Sequence, residues 1–248
     1  VLIGLGLFDE KDISLKGLEE AKNSSKVYAE VYTSIWKGSF KKLEKMVGKK
    51  ISLLERKDLE EEFEKILEEA KEEKIAVFVP GDPLIATTHS SLILEARKRG
   101  VGTKIIHSSS IISAIAECGL HIYKFGKILT IPLPEKTKIL PQSVYDGIKE
   151  NLGRGLHTLC LLDVDVESKK FLEVNEALGI LMEMENIFNK KVVSLSTKIL
   201  VLSEIGSDKP KIVYDKIENL LKQEFNLPAV IIIPGELHFT EKEFLNSI

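Results

Sequence analysis

Apolar positions in the first half of the chain fall into short continuous runs separated by amphipathic stretches. Residues 1–3, 27–31, 75–79 and 104–107 read as strands. The run 75–79, Ile-Ala-Val-Phe-Val, has no polar position, as expected of a parallel strand covered on both faces. Between these runs the spacing turns helical. Ser14 is placed to cap a helix through about Lys22, with Leu15, Leu18 and Ala21 on one face. Asp58 and Glu61 have capping-box spacing, and Leu59, Phe63, Ile66, Leu67 and Ala70 make one apolar stripe. Thr88 is placed to cap a helix that stops at Gly100, and 110–118 reads as another helix. This strand–helix alternation predicts an α/β fold with a mainly parallel sheet.

The second half carries similar elements at less regular spacing. The segment 129–133 is strand-like but contains Pro132, which favours an edge position. Ser143 is placed to cap a short helix. Residues 158–164, 199–203 and 229–233 read as strands, and 173–188 and 215–224 as helices. Thr240 with Glu243 caps the last helix. No fixed-period repeat is present. The rhythm changes near residue 114, which predicts a domain 1–113 followed by a domain 114–248. The Glu/Lys runs at 60–74 and 183–191 read as solvated helix faces.

At 248 residues and 44% hydrophobic content the chain can bury a substantial core. A formal net charge of −3 leaves no basic excess to neutralise a phosphate backbone, so nucleic acid is not expected as a main partner. Cys118 and Cys160 sit in apolar stretches, which points to a reducing, cytoplasmic setting rather than a disulfide framework. No apolar run approaches the ~20 residues of a membrane span. The chain begins at Val1 already in strand pattern, so a few preceding residues are expected.

Candidate chemistry concentrates in loops at strand ends. Gly4-Leu5-Gly6-Leu7 follows the first strand, and its glycines allow close approach of backbone to a ligand or simply a tight turn. Pro80-Gly81-Asp82-Pro83 follows the all-apolar strand; Asp82 can accept from a ribose or an amine, or close an Asx-type turn. His107-Ser108-Ser109-Ser110-Ile111 follows the fourth strand; its hydroxyls and amides can hold a polar ligand, or Ser110 can cap the next helix. Ligands of open α/β sheets bind beyond the carboxyl ends of strands, so the loops point to one site together. Metal-ligand spacing, a phosphate-binding lysine loop and a serine-hydrolase elbow are all missing from the sequence. The five histidines, His89, His107, His121, His157 and His238, are scattered and read as structural, with His89 the best exception.

The chain resembles the diphthine synthase branch of the tetrapyrrole methylase superfamily along its whole length. The stretches that carry this are Ile3-Gly4-Leu5-Gly6-Leu7, Tyr32-Thr33-Ser34, Gly81-Asp82-Pro83 and Ala86-Thr87-Thr88-His89. Further stretches are Gly119-Leu120-His121-Ile122-Tyr123-Lys124-Phe125-Gly126, Tyr145-Asp146, Gly155-Leu156-His157-Thr158-Leu159, Leu162-Asp163 and Pro234-Gly235-Glu236-Leu237-His238. The resemblance implies two α/β domains, a mainly parallel sheet in the first and a mixed one in the second. S-adenosylmethionine would lie in a cleft between them. It places cofactor contacts on Leu7, Asp82, Ile85, Ser110, Ile111, Leu162, Ile205 and Ala229. It also implies a homodimer, with translation elongation factor 2 as substrate. The reaction would be repeated methylation of an aminocarboxypropyl group on a histidine, leaving S-adenosylhomocysteine and giving diphthine. The short segment 163–175 lacks the insertion of eukaryotic members and gives the chain an archaeal look. Glu117 and Ser203-Glu204-Ile205 stand where the family often has small residues. No catalytic residue and no metal ligand is singled out. The alternatives are a corrin or sirohaem-precursor methylase of the same superfamily and a non-catalytic nucleotide-binding module.

Overall fold

The computed structural model describes residues 1–137, 139–166 and 168–248. The chain divides into two compact units, Val1–Ile112 and Ser113–Ile248.

The N-terminal unit holds β1 (Leu2–Gly4), β2 (Lys26–Glu30), β3 (Ile51–Leu54), β4 (Ile75–Val79) and β5 (Ile105–Ile106). They form one sheet in the order β3-β2-β4-β1-β5, with every pairing parallel. Alternate side chains go to opposite faces, as strand geometry requires. Leu2, Ile75 and Val77 pack on one face with Ile66, Leu67, Leu92 and Ala96 of the helices Glu64–Glu72 and His89–Lys98. Ile3, Ala76 and Phe78 pack on the other with Ala21, Leu43 and Val47 of the helices Leu15–Lys22 and Phe40–Val47. Full burial of a side chain such as Phe78 contributes about 1.5–3 kcal/mol, which is why β4 tolerates no polar residue.

The C-terminal unit holds β6 (Leu129–Ile131), β7 (Thr158–Leu162), β10 (Lys198–Ser203), β11 (Lys211–Lys216) and β12 (Ala229–Ile233), in the order β11-β10-β12-β7-β6. β6 pairs parallel with β7, and the other pairings are antiparallel, so the sheet is mixed. A short hairpin joins β8 (Val164–Asp165) and β9 (Lys170–Phe171). The helices Gln142–Gly153 and Val174–Phe188 cover one face through Val144, Tyr145, Ile148, Leu178 and Leu181.

Several expected element ends move. Ser14 caps its helix, its Oγ accepting from the Gly17 amide at 3.0 Å. The helix expected over 59–70 is two helices, Arg56–Glu60 and Glu64–Glu72. Glu60, Glu61, Glu62 and Glu64 crowd like charges at helical spacing where it breaks. Asp58 lies in its first turn, accepting from the Glu55 amide at 2.7 Å. Thr88 precedes its helix but makes no cap bond; its hydroxyl donates to Glu60 instead, at 2.8 Å. The helix near Ser143 starts at Gln142 and runs 12 residues. The stretch 158–164 ends as a strand at Leu162, and 110–118 is a short α-helix, Ile111–Ala114, followed by a 3-10 turn. Residues 211–216 form an edge strand, so the helix expected over 215–224 shrinks to Ile217–Leu220. The last helix, Phe239–Leu245, is capped by His238 and Glu241 rather than by Thr240 and Glu243.

Candidate active site

β1 lies between β4 and β5, so the three special loops emerge side by side. They lock onto one another through backbone. Gly6 and Gly81 exchange both of their hydrogen bonds, at 3.2 and 2.9 Å. A Cβ on Gly4 would stand 2.6 Å from the Gly81 carbonyl oxygen and 2.7 Å from the Ser108 Cβ. Glycine at position 4 therefore lets the loops after β4 and β5 meet across the end of β1. Asp12 braces the first loop, its carboxylate accepting the amides of Phe8 and Asp9 at 2.7 and 3.2 Å. Ser108 Oγ donates to the Asp12 carbonyl at 3.3 Å.

Asp82 is the hub. Its Oδ1 accepts the Leu84 amide at 3.0 Å, which is the Asx-type turn foreseen as one of its two readings. Its Oδ2 reaches the loop after β5, accepting the Ser108 amide at 3.2 Å and the His107 Nδ1–H at 2.8 Å. Asp82 is buried, its side chain 8% exposed, while that of His107 is 69% exposed. Ser110 is buried, Leu7 and Ile111 are half-buried, and Ile85 is exposed. The strand ends of this unit thus bring together Leu7, Asp82, Ile85, Ser110 and Ile111.

Behind the loop after β4 stands a buried brace. The Pro83 carbonyl can only accept, so His89 donates from Nδ1 at 3.1 Å, and its Nε2 faces the Tyr32 hydroxyl at 3.4 Å. Burial holds the His89 imidazole below its usual pKa and pushes the Tyr32 phenol up. The amides of Tyr32 and Thr33 donate to Glu30, at 2.9 and 3.2 Å, and the Thr33 hydroxyl donates to it too. Burial nevertheless raises the Glu30 carboxyl above its usual range. His89, the histidine favoured by the sequence, is thus committed at both nitrogens to holding the site's floor.

In the C-terminal unit Ala229 pairs with Ser203, and Val230 with Leu161. That register puts Leu162, Ala229 and Ser203 at one end of the sheet, with buried Ile205 just beyond β10. Glu204 adopts a left-handed backbone with φ 52, a cost of order 1–3 kcal/mol for a non-glycine residue. Its amide donates to the Pro228 carbonyl at 2.8 Å and its carboxylate accepts from Asn226 at 3.0 Å, which offsets that cost.

At the opposite end of the same sheet lies a cluster that sequence reasoning did not anticipate. His157 Nδ1 accepts the Gly235 amide at 2.9 Å, so its Nε2–H donates to Glu241 at 3.0 Å. Glu241 also accepts the amides of His121 and His238 at 2.8 and 2.7 Å and the Lys124 ammonium at 2.8 Å. The side chains of both His157 and Glu241 are completely buried. Burial works against the Glu241 carboxylate, but these donors outweigh it and hold its pKa at about 2. Three stretches that carry the family resemblance, 119–126, 155–159 and 234–238, converge here. The signal was present in those residues, but their meeting depends on strand register.

Among the described residues no group of His, Cys, Asp or Glu could hold a metal ion, and no helix is long and apolar enough to cross a membrane. Cys118 and Cys160 are free, their thiols pushed up by burial to about 11 and about 12. The strand ends suit a ligand that is part apolar and part polar. Leu84 and Ile85 present apolar surface there, and the buried Thr87 hydroxyl on the same loop has no hydrogen-bond partner among the described residues.

The family profile of Tetrapyrrole (Corrin/Porphyrin) Methylases matches residues 1–221. A diphthine synthase of Methanocaldococcus jannaschii is 47% identical over 252 aligned positions, spanning 100% of this chain and 98% of the relative. One of Methanococcus vannielii is 45% identical over 250, again spanning 100% and 98%. A crystal structure of a diphthine synthase superposes with a TM-score of 0.89 at 36% identity, covering 99% of this chain and 94% of the other.

Proposed function

Because the chain belongs to the tetrapyrrole methylase family and to its diphthine synthase branch, we infer that it is an S-adenosylmethionine-dependent methyltransferase of diphthamide biosynthesis. Its substrate is translation elongation factor 2 carrying an aminocarboxypropyl-histidine, whose amino group it methylates to give diphthine in the cytoplasm. The observation that carries this reading is end-to-end identity of 47% with a diphthine synthase, across both units. The same identity favours this substrate over a corrin or sirohaem precursor.

The cofactor contacts we propose are Leu7, Asp82, Ile85, Ser110 and Ile111 in the N-terminal unit and Leu162, Ile205 and Ala229 in the C-terminal unit. A cofactor cleft shared by the two domains is part of this proposal. S-adenosylmethionine supplies the activated methyl group when bound. The protein's share is to hold and align. Leu7, Ile85, Ile111 and Leu162 offer apolar surface to an adenine ring or a methionine chain, while strand-end backbone groups take the polar atoms. The interlocked glycines at positions 4, 6 and 81 fix those backbone groups in advance. Alignment of two bound reactants lowers a barrier by about 7–11 kcal/mol. A homodimer is part of the proposal too; sedimentation at micromolar protein that gave only a 27.8 kDa species would count against it.

The deciding experiment is mass spectrometry of elongation factor 2 bearing the unmethylated side chain, after incubation with this protein and S-adenosylmethionine. Successive methyl additions on that histidine are expected. A substrate left unchanged, with a corrin precursor methylated instead, would overturn the assignment.

A further inference from the structure

An amine attacks a methyl group only through its lone pair, which the ammonium form lacks. Some group must therefore take a proton before each transfer. We propose that His107 is this general base and that Asp82 orients it; the proposal rests on the methyltransferase reading above.

A carboxylate oxygen only accepts, so the 2.8 Å contact with Asp82 Oδ2 fixes the His107 proton on Nδ1 and leaves the lone pair on Nε2. Asp82 is itself held by the amides of Leu84 and Ser108, so the imidazole has a rigid support. Nε2 has no hydrogen-bond partner among the described residues, and the ring stands largely in the open beyond the ends of β4 and β5. An imidazole fixed in one tautomer by a buried carboxylate, with its basic nitrogen free, is the arrangement proton abstraction requires. The other histidines lack it. His89 and His157 use both nitrogens and are buried. His121 and His238 share the Thr240 hydroxyl in the other unit.

Nε2 removes one proton from the substrate ammonium and becomes imidazolium beside the Asp82 carboxylate. The freed lone pair forms the N–C bond to the methyl carbon, and the electrons of the broken S–C bond stay on sulfur. The exposed imidazolium returns its proton to solvent. Before the next round the methylated ammonium is deprotonated in the same way. A quaternary nitrogen has no N–H, so the cycle ends there. Among the described residues Asp82 is the charged group in contact with His107. Asp9 and Asp12 stand on the neighbouring loop, Asp12 with its carboxylate taken by two amides.

The test is single-turnover methyl transfer to elongation factor 2 bearing the unmethylated side chain, followed across pH. It compares wild type, His107→Ala, and His107→Ala with added imidazole. Calorimetry gives the S-adenosylmethionine affinity of each unloaded protein, and the nitrogen spectrum of the His107 ring gives its tautomer. For His107→Ala we expect a rate loss of about 10²–10⁴-fold. The rate of the variant should climb with pH more steeply than that of wild type, because only free amine then reacts, with partial rescue by imidazole and unchanged cofactor affinity. The ring of wild type should carry its neutral-form proton on Nδ1. A variant as fast as wild type, a rate loss matched by lost affinity without rescue, or a proton on Nε2 overturns the assignment. Wild type that transfers no methyl group at any pH overturns the methyltransferase reading, and the base with it. That outcome is read from wild type alone.

Discussion

Each unit places a hydrogen-bonded carboxylate–imidazole pair at a sheet end, and the two pairs differ in surroundings. Asp82 and His107 in the N-terminal unit are 2.8 Å apart, with the carboxylate buried and the imidazole open. Glu241 and His157 in the C-terminal unit are 3.0 Å apart, with both side chains fully buried. In the second pair every nitrogen of the ring is spoken for and the carboxylate gathers four donors. The same two functional groups therefore serve reactivity where one nitrogen is left free, and cohesion where none is.

Breaking the buried pair should have the largest effect. Glu241→Ala strands His157, Lys124 and two backbone amides, and is expected to cost about 3–5 kcal/mol of stability. Urea unfolding of the variant beside wild type measures it; a loss within experimental scatter would remove the cohesive role.

Acid should discharge the same cluster in two stages. Burial lowers the His157 pKa despite its Glu241 partner, so the unfolded chain takes up this proton first. Stability should fall as pH drops below the ordinary histidine value of 6.5. The Glu241 pKa is depressed from 4.5 to about 2, so its contribution is complete above 4.5 and is lost between 4.5 and 2. Urea midpoints across this range check the sign. His157→Gln should shrink the upper stage, to which buried His89 also contributes, and spare the lower.

Asp82→Ala sharpens the comparison from the other side. It removes an acceptor for two amides and one imidazole, and hydrogen bonds to a charged group contribute about 1.5–3 kcal/mol each. A lowered melting temperature is expected, with S-adenosylmethionine binding weaker by about 10- to 150-fold in the protein that remains folded. Calorimetry beside a melting curve separates the two; unchanged affinity would remove Asp82 from the cofactor contacts.

The smallest stability effect belongs to His107→Ala. The His107 ring is 69% exposed, so water can replace it at Asp82, which keeps both of its amide donors. Urea unfolding indistinguishable from wild type, in a variant slow in methyl transfer, is the expected combination. A loss as large as that of Glu241→Ala would erase the contrast between the pairs.

Sequence pattern reached some of this directly. Strands 75–79 and 229–233 are legible because short apolar runs rich in Ile and Val and bounded by proline and glycine turns mark buried strands, and Ser14 because capping is local. The edge strand Ile51–Leu54 is not, since Ser52 and Leu53 are exposed and its support comes from β2 alone. The edge strand Lys211–Lys216 was hidden for a similar reason, and its last residues merged with the helix that follows. At the site, glycines and prolines after strands marked the loops. The Asp82–His107 contact was not legible. It spans 25 residues and exists only because β4 and β5 flank β1, an order that chain sequence does not display. The His157–Glu241 contact was hidden likewise, by the antiparallel register of β7 and β12.

The position of Glu241 also sets an order of assembly during synthesis. It follows His157 by 84 residues and His121 by 120. At about 5–20 residues per second, the ribosome needs roughly 4–17 s after reading His157 before it supplies the carboxylate that His157 awaits. Every group in the loops around Asp82, from Gly4 to Ser110, has been made long before then. The nascent chain can lock the strand ends of its first unit while the second unit still lacks its central anion.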